Sequence, residues 1–376
     1  MKSVPITTFL FTLAISLGTT VEGQEATPRR QPGATMTVYE PEQHDLYDGR
    51  FVLSAGRVYQ VGGLEDQPGW EHIGNDATNV HPIEGTVDIA IWLTVRSVLL
   101  DTAAHGHIPV NDGLVRPIHI VAPEGCLANP KFPAPTIARF CPGNQLADTV
   151  MKALAQVAPT QVSAGIGNLR VISFSGLQNS EHWVHMEIFE GSYGGRYGKD
   201  GMDAVDTLYA NTRNNPIEDI ESHLPLRVGR YELRENVYGA GKWRGGLGSI
   251  REFEYLSDGA AAVEGEGHKF PPWGFDGGND GQVAGLQLSR VDGSCQDLPS
   301  KVPHTALKAG DRFICVGPAG GGYGDAFKRS PELVLDDVLD GLISRESAKR
   351  DFGVAITENF VLDQSATAVL RDADSS

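Results

Sequence analysis

Cationic side chains are in short supply in this sequence of 376 residues: 31 Lys and Arg stand against 48 Asp and Glu, a formal net charge of −17. So acidic a chain lacks the basic face that phosphate contacts need, which argues against a nucleic-acid or anionic-membrane binder. Cysteine is scarce too. The four residues Cys126, Cys141, Cys295 and Cys315 show no metal-ligand spacing such as CxxC and are too few for a disulfide scaffold. Free buried thiols are expected, with room for one or two bridges if the protein is exported. There is no GxxxxGK[ST] phosphate loop and no GxSxG nucleophile elbow, so neither a P-loop ATP site nor a serine hydrolase of that kind is encoded. No asparagine starts an Asn-x-Ser/Thr sequon. Beyond the first two dozen residues no run is long and apolar enough to span a membrane.

What the chain does have is glycine and proline, 45 and 22 residues, dispersed enough to imply many turns and short strands rather than low complexity. Residues 1–23 read as a signal peptide: Lys2, then an apolar run, ITTFLFTLAISLG, then small Val21 and Gly23 before Gln24. Residues 24–36 read as a disordered linker. The leader predicts secretion, or a cytoplasmic protein if it is an artefact of the gene model.

Periodicity supplies the rest. Alternation predicts hairpin strands between 50 and 62, and further strands over Arg116–Val121, Leu169–Ser175, Trp183–Phe189, Gln282–Ser289 and Arg312–Gly317. LRVGRYELRE and SIREFEYL alternate as well. Apolar residues at three- and four-residue spacing predict a helix from Val87 to Ala104, and a second from Asn144, as N-cap, to Val157. Asp203–Ala210 suggests a helical turn or two. Pro331 opens a C-terminal helix and Ser344 caps another. The expected fold is mixed α/β (α+β) and strand-rich. A helix-bearing first lobe (37–205) precedes a β-rich second lobe (206–376) closed by C-terminal helices.

One stretch, His182 to Glu252, concentrates carboxylates, arginines and glycine-rich corners, the ingredients of a site where backbone approaches a polar ligand. Several blocks in and around it are distinctive. NNPIEDIESHLPLRV (214–228), YGAGKWRGGLGSIRE (238–252), KFPPWGFDGGNDG (269–281) and the run from Gly317 to Val354 resemble the hydantoinase B/oxoprolinase family, as do PVNDGLVRPIHIVAPEGCLANPKFPAP (109–135) and GGRYGKDGMDA (194–204). The resemblance covers roughly 80–370. It implies ATP-dependent opening of a small cyclic amide, 5-oxoproline or a hydantoin, with ATP handled by a hydantoinase A/oxoprolinase-like partner. It also implies a long N-terminal portion with a His/Asp-rich segment, where this sequence has its leader and linker. A component of a cyclic-amide hydrolase is therefore expected. A remnant with a binding or subunit-interaction role and a secreted β-rich binding protein are the alternatives.

Within that frame Glu187 matches the glutamate before the family's glycine-rich turn. His185, two residues away on a strand, shares its face, and the pair can hold a metal or trade a proton. In GGRYGKDG, Arg196 offers a fork for a substrate carboxylate beside Asp200, or the segment is simply a turn. Asn211, Glu218 and Glu221 lie in NTRNNPIEDIES. The two glutamates, three apart, would share a helical face as acid and base or as ligands of a divalent cation, or merely favour a helix start. Arg244, among glycines, suits an anionic ligand or an internal ion pair. Catalytic Glu187, Asp200, Glu218 and Glu221 and substrate-binding Arg196, Asn211 and Arg244 are thus expected, with the metal unassigned and a homo-oligomer open. The run GPAGGGYGDA (317–326) reads as a tight packing loop, KFPPWGFDGG as packing or a partner surface, and His105 and His107 as a weak metal pair.

Overall fold

The computed structural model describes residues 87–374 apart from 110, 123, 132–138, 210 and 211, together with three short strands, β1 (Val38–Tyr39), β2 (Phe51–Ser54) and β3 (Arg57–Gln60). These three form a small antiparallel sheet in the order β1-β3-β2, in which β2 and β3 are the hairpin that alternation between 50 and 62 predicts. The leader, the linker and Asn211 lie outside the described residues.

Nine further strands build a sandwich. They are β4 (Arg170–Gln178), β5 (Glu181–Phe189), β6 (Leu226–Leu233), β7 (Ser249–Tyr255), β8 (Gly259–Glu264), β9 (Gly285–Ser289), β10 (Cys295–Asp297), β11 (Lys301–Leu307) and β12 (Arg312–Val316). One sheet runs β10-β9-β12-β7-β6 and the other β11-β8-β4-β5, all neighbours antiparallel. Strands from both sides of residue 205 share one core. Ile172 and Phe174 of β4 meet Phe253 and Tyr255 of β7, Leu286 and Leu288 of β9 and Phe313 of β12. The Phe174 ring sits 4.9 Å from Phe253 and edge-on to Phe313 at 6.0 Å. Each strand presents these residues at every second position, so alternation is what welds the two sheets.

Eight α-helices flank the sandwich among the described residues: α1 (Val87–Leu99), α2 (Thr102–His105), α3 (Asp112–Val115), α4 (Phe140–Leu154), α5 (Ile217–His223), α6 (Pro331–Leu339), α7 (Arg345–Phe352) and α8 (Gln364–Asp374). Helices α1 and α4 pack through Ala90, Ile91, Leu146 and Val150. Val334 and Val338 of α6 and Ala348 and Phe352 of α7 form a separate core with Tyr238 and Leu247. Pro331 opens α6, and the Ser344 hydroxyl accepts the Ser347 N–H at 3.1 Å, as the sequence suggests. No helix among the described residues is long and apolar enough to cross a membrane.

Four expectations fail for local reasons. Helix α4 starts at Phe140, not Asn144, because Pro142 is tolerated in a first turn. The Asn144 amide oxygen accepts the Tyr209 backbone N–H at 2.9 Å instead of capping. Arg116–Val121 is not a strand. It has alternation but is paired with no strand among the described residues: the Ile118 N–H turns back to the Val115 carbonyl at 2.9 Å, and Ile118 and Ile120 cover the α1/α4 pair. The described part of Asp203–Ala210, up to Tyr209, is no helix, since Ala204 and Leu208 have φ of 41° and 28°. The first helix also stops at Leu99, and Asp101 caps the separate short turn α2. All four cysteines are free, Cys141 and Cys315 buried.

The run 317–324 is the hub of the molecule. Its backbone bonds to Ser249 (2.7 Å), Gln282 (2.9 Å), Gly246 (2.9 Å), Gly165 (2.9 Å), Asn279 (2.8 Å) and Trp243 (2.9 Å), so three separate stretches, around 165, 243–249 and 279–282, meet on it. At Gly320 a Cβ would lie 2.2 Å from the Tyr193 carbonyl oxygen, so no larger residue fits. The packing reading of GPAGGGYGDA holds.

Candidate functional site

Strands β5 and β6 are the edge strands on one side of the sandwich. On β5 the side chains of Trp183, His185, Glu187 and Phe189 alternate inward, so two polar groups are set between two aromatic core residues. Opposite them, Arg251 of β7 points inward in step with Phe253 and Tyr255 and pairs in register with Tyr231 of β6. Helix α5 covers this side by sinking Ile220 into the core. The result is a polar seam between the sheets.

Arg251 organises it. Its Nη2 donates to Glu187 Oε2 at 3.0 Å and its Nη1 lies 3.6 Å from Glu190 Oε1. Nη1 also reaches the Ile188 carbonyl at 3.3 Å and Asn214 Oδ1 at 3.4 Å. The guanidinium carbon sits 4.6 Å from the Phe189 ring centre and 4.5 Å from that of Tyr231, so aromatic faces flank the charge. The other oxygen of Glu187 meets His185 Nε2 at 2.7 Å. With Glu187 ionised and held by Arg251, Nε2 carries the proton and Nδ1 is the acceptor. His185 thus ends a chain of three groups that holds one tautomer ready to take a proton.

Glu190, just past β5, is the second carboxylate of the seam. Burial pushes it up to about 7, against the pull of Arg251, and Glu187 and Asp206 push the same way. Its Oε2 and Arg251 Nε are buried without a partner among the described residues. Tyr231 is raised, first by burial and then by Glu190, and its hydroxyl accepts from the Asn214 amide. Burial also raises Asp206, whose Oδ2 accepts the Thr212 N–H at 3.1 Å. A carboxylate that changes charge near neutrality beside an oriented imidazole can serve as proton donor while the imidazole accepts.

The remaining expected residues lie elsewhere. Asp200 and Arg244 do come together, but in a network with Asp203, Arg329 and Asp337. Arg329 forks onto Asp200 at 2.6 and 2.9 Å and reaches Asp337 at 2.7 Å, and Arg244 donates to Asp203 at 2.8 Å. Asp200 also accepts the Arg244 backbone N–H at 2.7 Å, and Arg244 Nε lies 3.4 Å from Asp337. Two buried guanidinium groups and three carboxylates tie the 200–203 loop and residues 244–247 to α6. Arg244 is an internal ion pair, the second of its two readings.

Glu221 spends Oε1 on the Val228 N–H at 2.8 Å, at the start of β6, while Glu218 stands exposed in the first turn of α5. Arg196 is exposed in its loop. His105 Nδ1 accepts the Asp101 N–H at 3.0 Å, closing the α2 turn. Among the described residues no three His, Cys, Asp or Glu side chains converge as metal ligands.

Sequence reasoning missed Glu190, Tyr231 and Asn214. The signal for Arg251 was present: it occupies the same alternate positions of SIREFEY as Phe253 and Tyr255, a charge on a core face. Such a residue needs a buried counter-charge, which period two on HWVHMEIFE supplies at Glu187.

Residues 75–326 match the family model for hydantoinase B/oxoprolinase. The chain is 61% identical over 291 residues to a protein assigned as the B component of a D-/L-hydantoinase from Pseudomonas sp. (strain NS671), covering 77% of this chain and 49% of that one. It is 34% identical over 282 residues to the beta chain of the caprolactamase of Pseudomonas jessenii, covering 70% and 48%. The crystal structure of the ATP-dependent caprolactamase from that organism superposes with a TM-score of 0.65 at 28% identity over 78% of this chain and 54% of that one. The chain thus spans about half the length of these relatives.

Proposed function

The chain belongs to the hydantoinase B/oxoprolinase family, and on that premise we propose that it is the B-type component of an ATP-dependent hydrolase of small cyclic amides. Its partner would be a hydantoinase A-like subunit that handles ATP, and the substrate 5-oxoproline or a hydantoin-like ring. The likeness to the B component of a D-/L-hydantoinase and to the beta chain of a caprolactamase supports this reading. So does the buried Arg251–Glu187–His185 chain, with Glu190 beside it, at the edge of the sandwich. That chain is the observation that carries it.

ATP, used at the partner, would supply activation of the amide oxygen by phosphoryl transfer. The residues of this chain would then serve the hydrolysis. His185 Nδ1 takes a proton from the attacking water while Glu187, fixed by Arg251, stabilises the imidazolium. Glu190, protonated near neutrality, gives its proton to the departing nitrogen as the C–N bond of the tetrahedral adduct breaks, and the acyl phosphate left behind is hydrolysed by a second water to carboxylate and phosphate. No step is routed through a metal.

The test is reconstitution. The chain is co-purified with a hydantoinase A-like subunit, and ADP and ring-opened product are measured with 5-oxoproline, hydantoin and caprolactam. Coupled release of both, requiring both subunits and lost in His185→Gln with the complex intact, is expected. A stable complex that opens none of the rings refutes the proposal.

A further inference from the structure

We propose that Arg170, Arg234 and His268 form a binding site for a small oxyanion, of the carboxylate or phosphate class, at the end of the sandwich where β4 and β9 begin. This site is distinct from the seam, and its case is independent of the proposed hydrolysis.

The geometry places the three together. Arg170 opens β4 and points between the sheets in step with Ile172 and Phe174. Its Nη1 crosses to the Gly285 carbonyl at 2.7 Å. Arg234, just past the end of β6, donates through Nη1 to the Val283 carbonyl at 3.0 Å and to that of Gly317. Between Val283 and Gly285, the Ala284 N–H donates to the Gly267 carbonyl at 2.9 Å, and His268, the next residue, lies within electrostatic reach of Arg170. One short backbone segment, 283–285, thus accepts from both arginines and anchors the backbone next to His268.

None of the three has a carboxylate partner among the described residues. Arg170 is only 1% exposed, and its Nη2 is buried with no acceptor. The nearby ion pair, Lys301 to Glu266 at 3.1 Å, is complete within itself, with Lys301 also on the Gly265 carbonyl. The Cys141 and Cys315 thiols, both raised by burial, add no charge. The cationic groups sense one another: Arg234 is lowered to about 10 by burial and by Arg170, and His268 to about 4 by burial, Arg170 and Lys301. Native proteins pair buried guanidinium groups, because an unpaired one costs several kcal/mol (roughly, in real interiors). Two guanidinium groups and a neutral imidazole supply only donors and one switchable nitrogen, and what completes such a set is an oxyanion. Arg234 and His268 are half-buried, which leaves solvent a way in.

The experiment uses the full chain and three probes. Sodium sulfate, sodium phosphate and sodium acetate are each titrated at constant ionic strength against sodium chloride, with thermal unfolding and calorimetric binding as readouts. A saturable rise in melting temperature with at least one oxyanion is expected. Preference for sulfate and phosphate over acetate assigns a phosphate-class ligand, and the reverse order a carboxylate. Arg234→Gln should weaken the apparent affinity at least tenfold and His268→Gln by a smaller factor. Arg227→Gln, at an exposed position on the outer edge, should leave it unchanged. If Arg234→Gln does not fold, Arg234→Lys replaces it, since loss of the fork alone should weaken binding. A response that fails to saturate, or that is identical in the Arg234 and His268 variants, overturns the proposal.

Discussion

Arg251 on β7 donates to Glu187 on β5 across the sandwich at 3.0 Å, with side chains 1% and 4% exposed. This contact joins the two sheets beside their edge strands, β5 itself and β6 next to β7. Glu187→Gln takes away the main counter-charge of a buried guanidinium and leaves it with Glu190 at 3.6 Å. The expected loss is about 3 kcal/mol or more, the usual cost of breaking a buried pair from one side. The double variant Glu187→Met, Arg251→Met should recover most of it, because no charge is then stranded. Urea midpoints with an unchanged slope check both.

The Asp200–Arg329–Asp337–Arg244 network predicts a purely structural effect. Asp337→Asn removes the carboxylate that both arginines share. Stability should fall by about 3 kcal/mol, and hydrogen exchange in α6 should accelerate before that in β7. In the reconstituted complex, turnover below the melting transition should stay within a few-fold of wild type. A large drop in turnover with stability intact would instead place Asp337 in the chemistry.

The strands and the seam were legible to very different degrees. Alternation in HWVHMEIFE and SIREFEY predicts both strands and puts His185 beside Glu187, because period two is a local property. Arg329 to Asp200 was not legible. The partners are 129 residues apart, and α6 reaches the 200–203 loop only once the glycine run has brought distant stretches of chain together. Asn144 misled for the opposite reason: a residue type that caps helices has its amide oxygen spent on Tyr209. Glu190 carries no local mark at all, since its perturbation comes from burial under residues distant in sequence.

Two glycines should separate close backbone packing from backbone conformation. A Cβ at Gly191 would lie 1.5 Å from the Gly167 carbonyl oxygen, inside a backbone bridge that no side-chain movement relieves. Gly191→Ala should cost about 4 kcal/mol or more and yield mostly insoluble protein. Gly198 has φ of 83° but nothing within 4 Å of a Cβ. Gly198→Ala should cost only about 1 to 2 kcal/mol, the left-handed penalty alone. Soluble yield and thermal midpoints of the two variants give the comparison.

The last prediction concerns pH. Glu190 rises from its ordinary 4.5 to about 7 in the folded chain, chiefly through burial. The folded state therefore holds its proton more tightly than the unfolded state does. Its contribution to stability is complete below pH 4.5 and is lost as pH rises through 7. At roughly 1.4 kcal/mol per unit the whole effect is about 3 kcal/mol. Asp148, raised to about 6 by burial, acts in the same direction over a lower window and blurs the raw profile. The difference between wild type and Glu190→Gln cancels Asp148, since the amide does not titrate. That difference should grow with pH between 4.5 and 7 in favour of the glutamine variant and then level off. Urea unfolding at half-unit steps from pH 4 to 8.5 measures it. A flat difference would mean that Glu190 stays ionised in the fold, and that the seam has no proton to give at neutral pH.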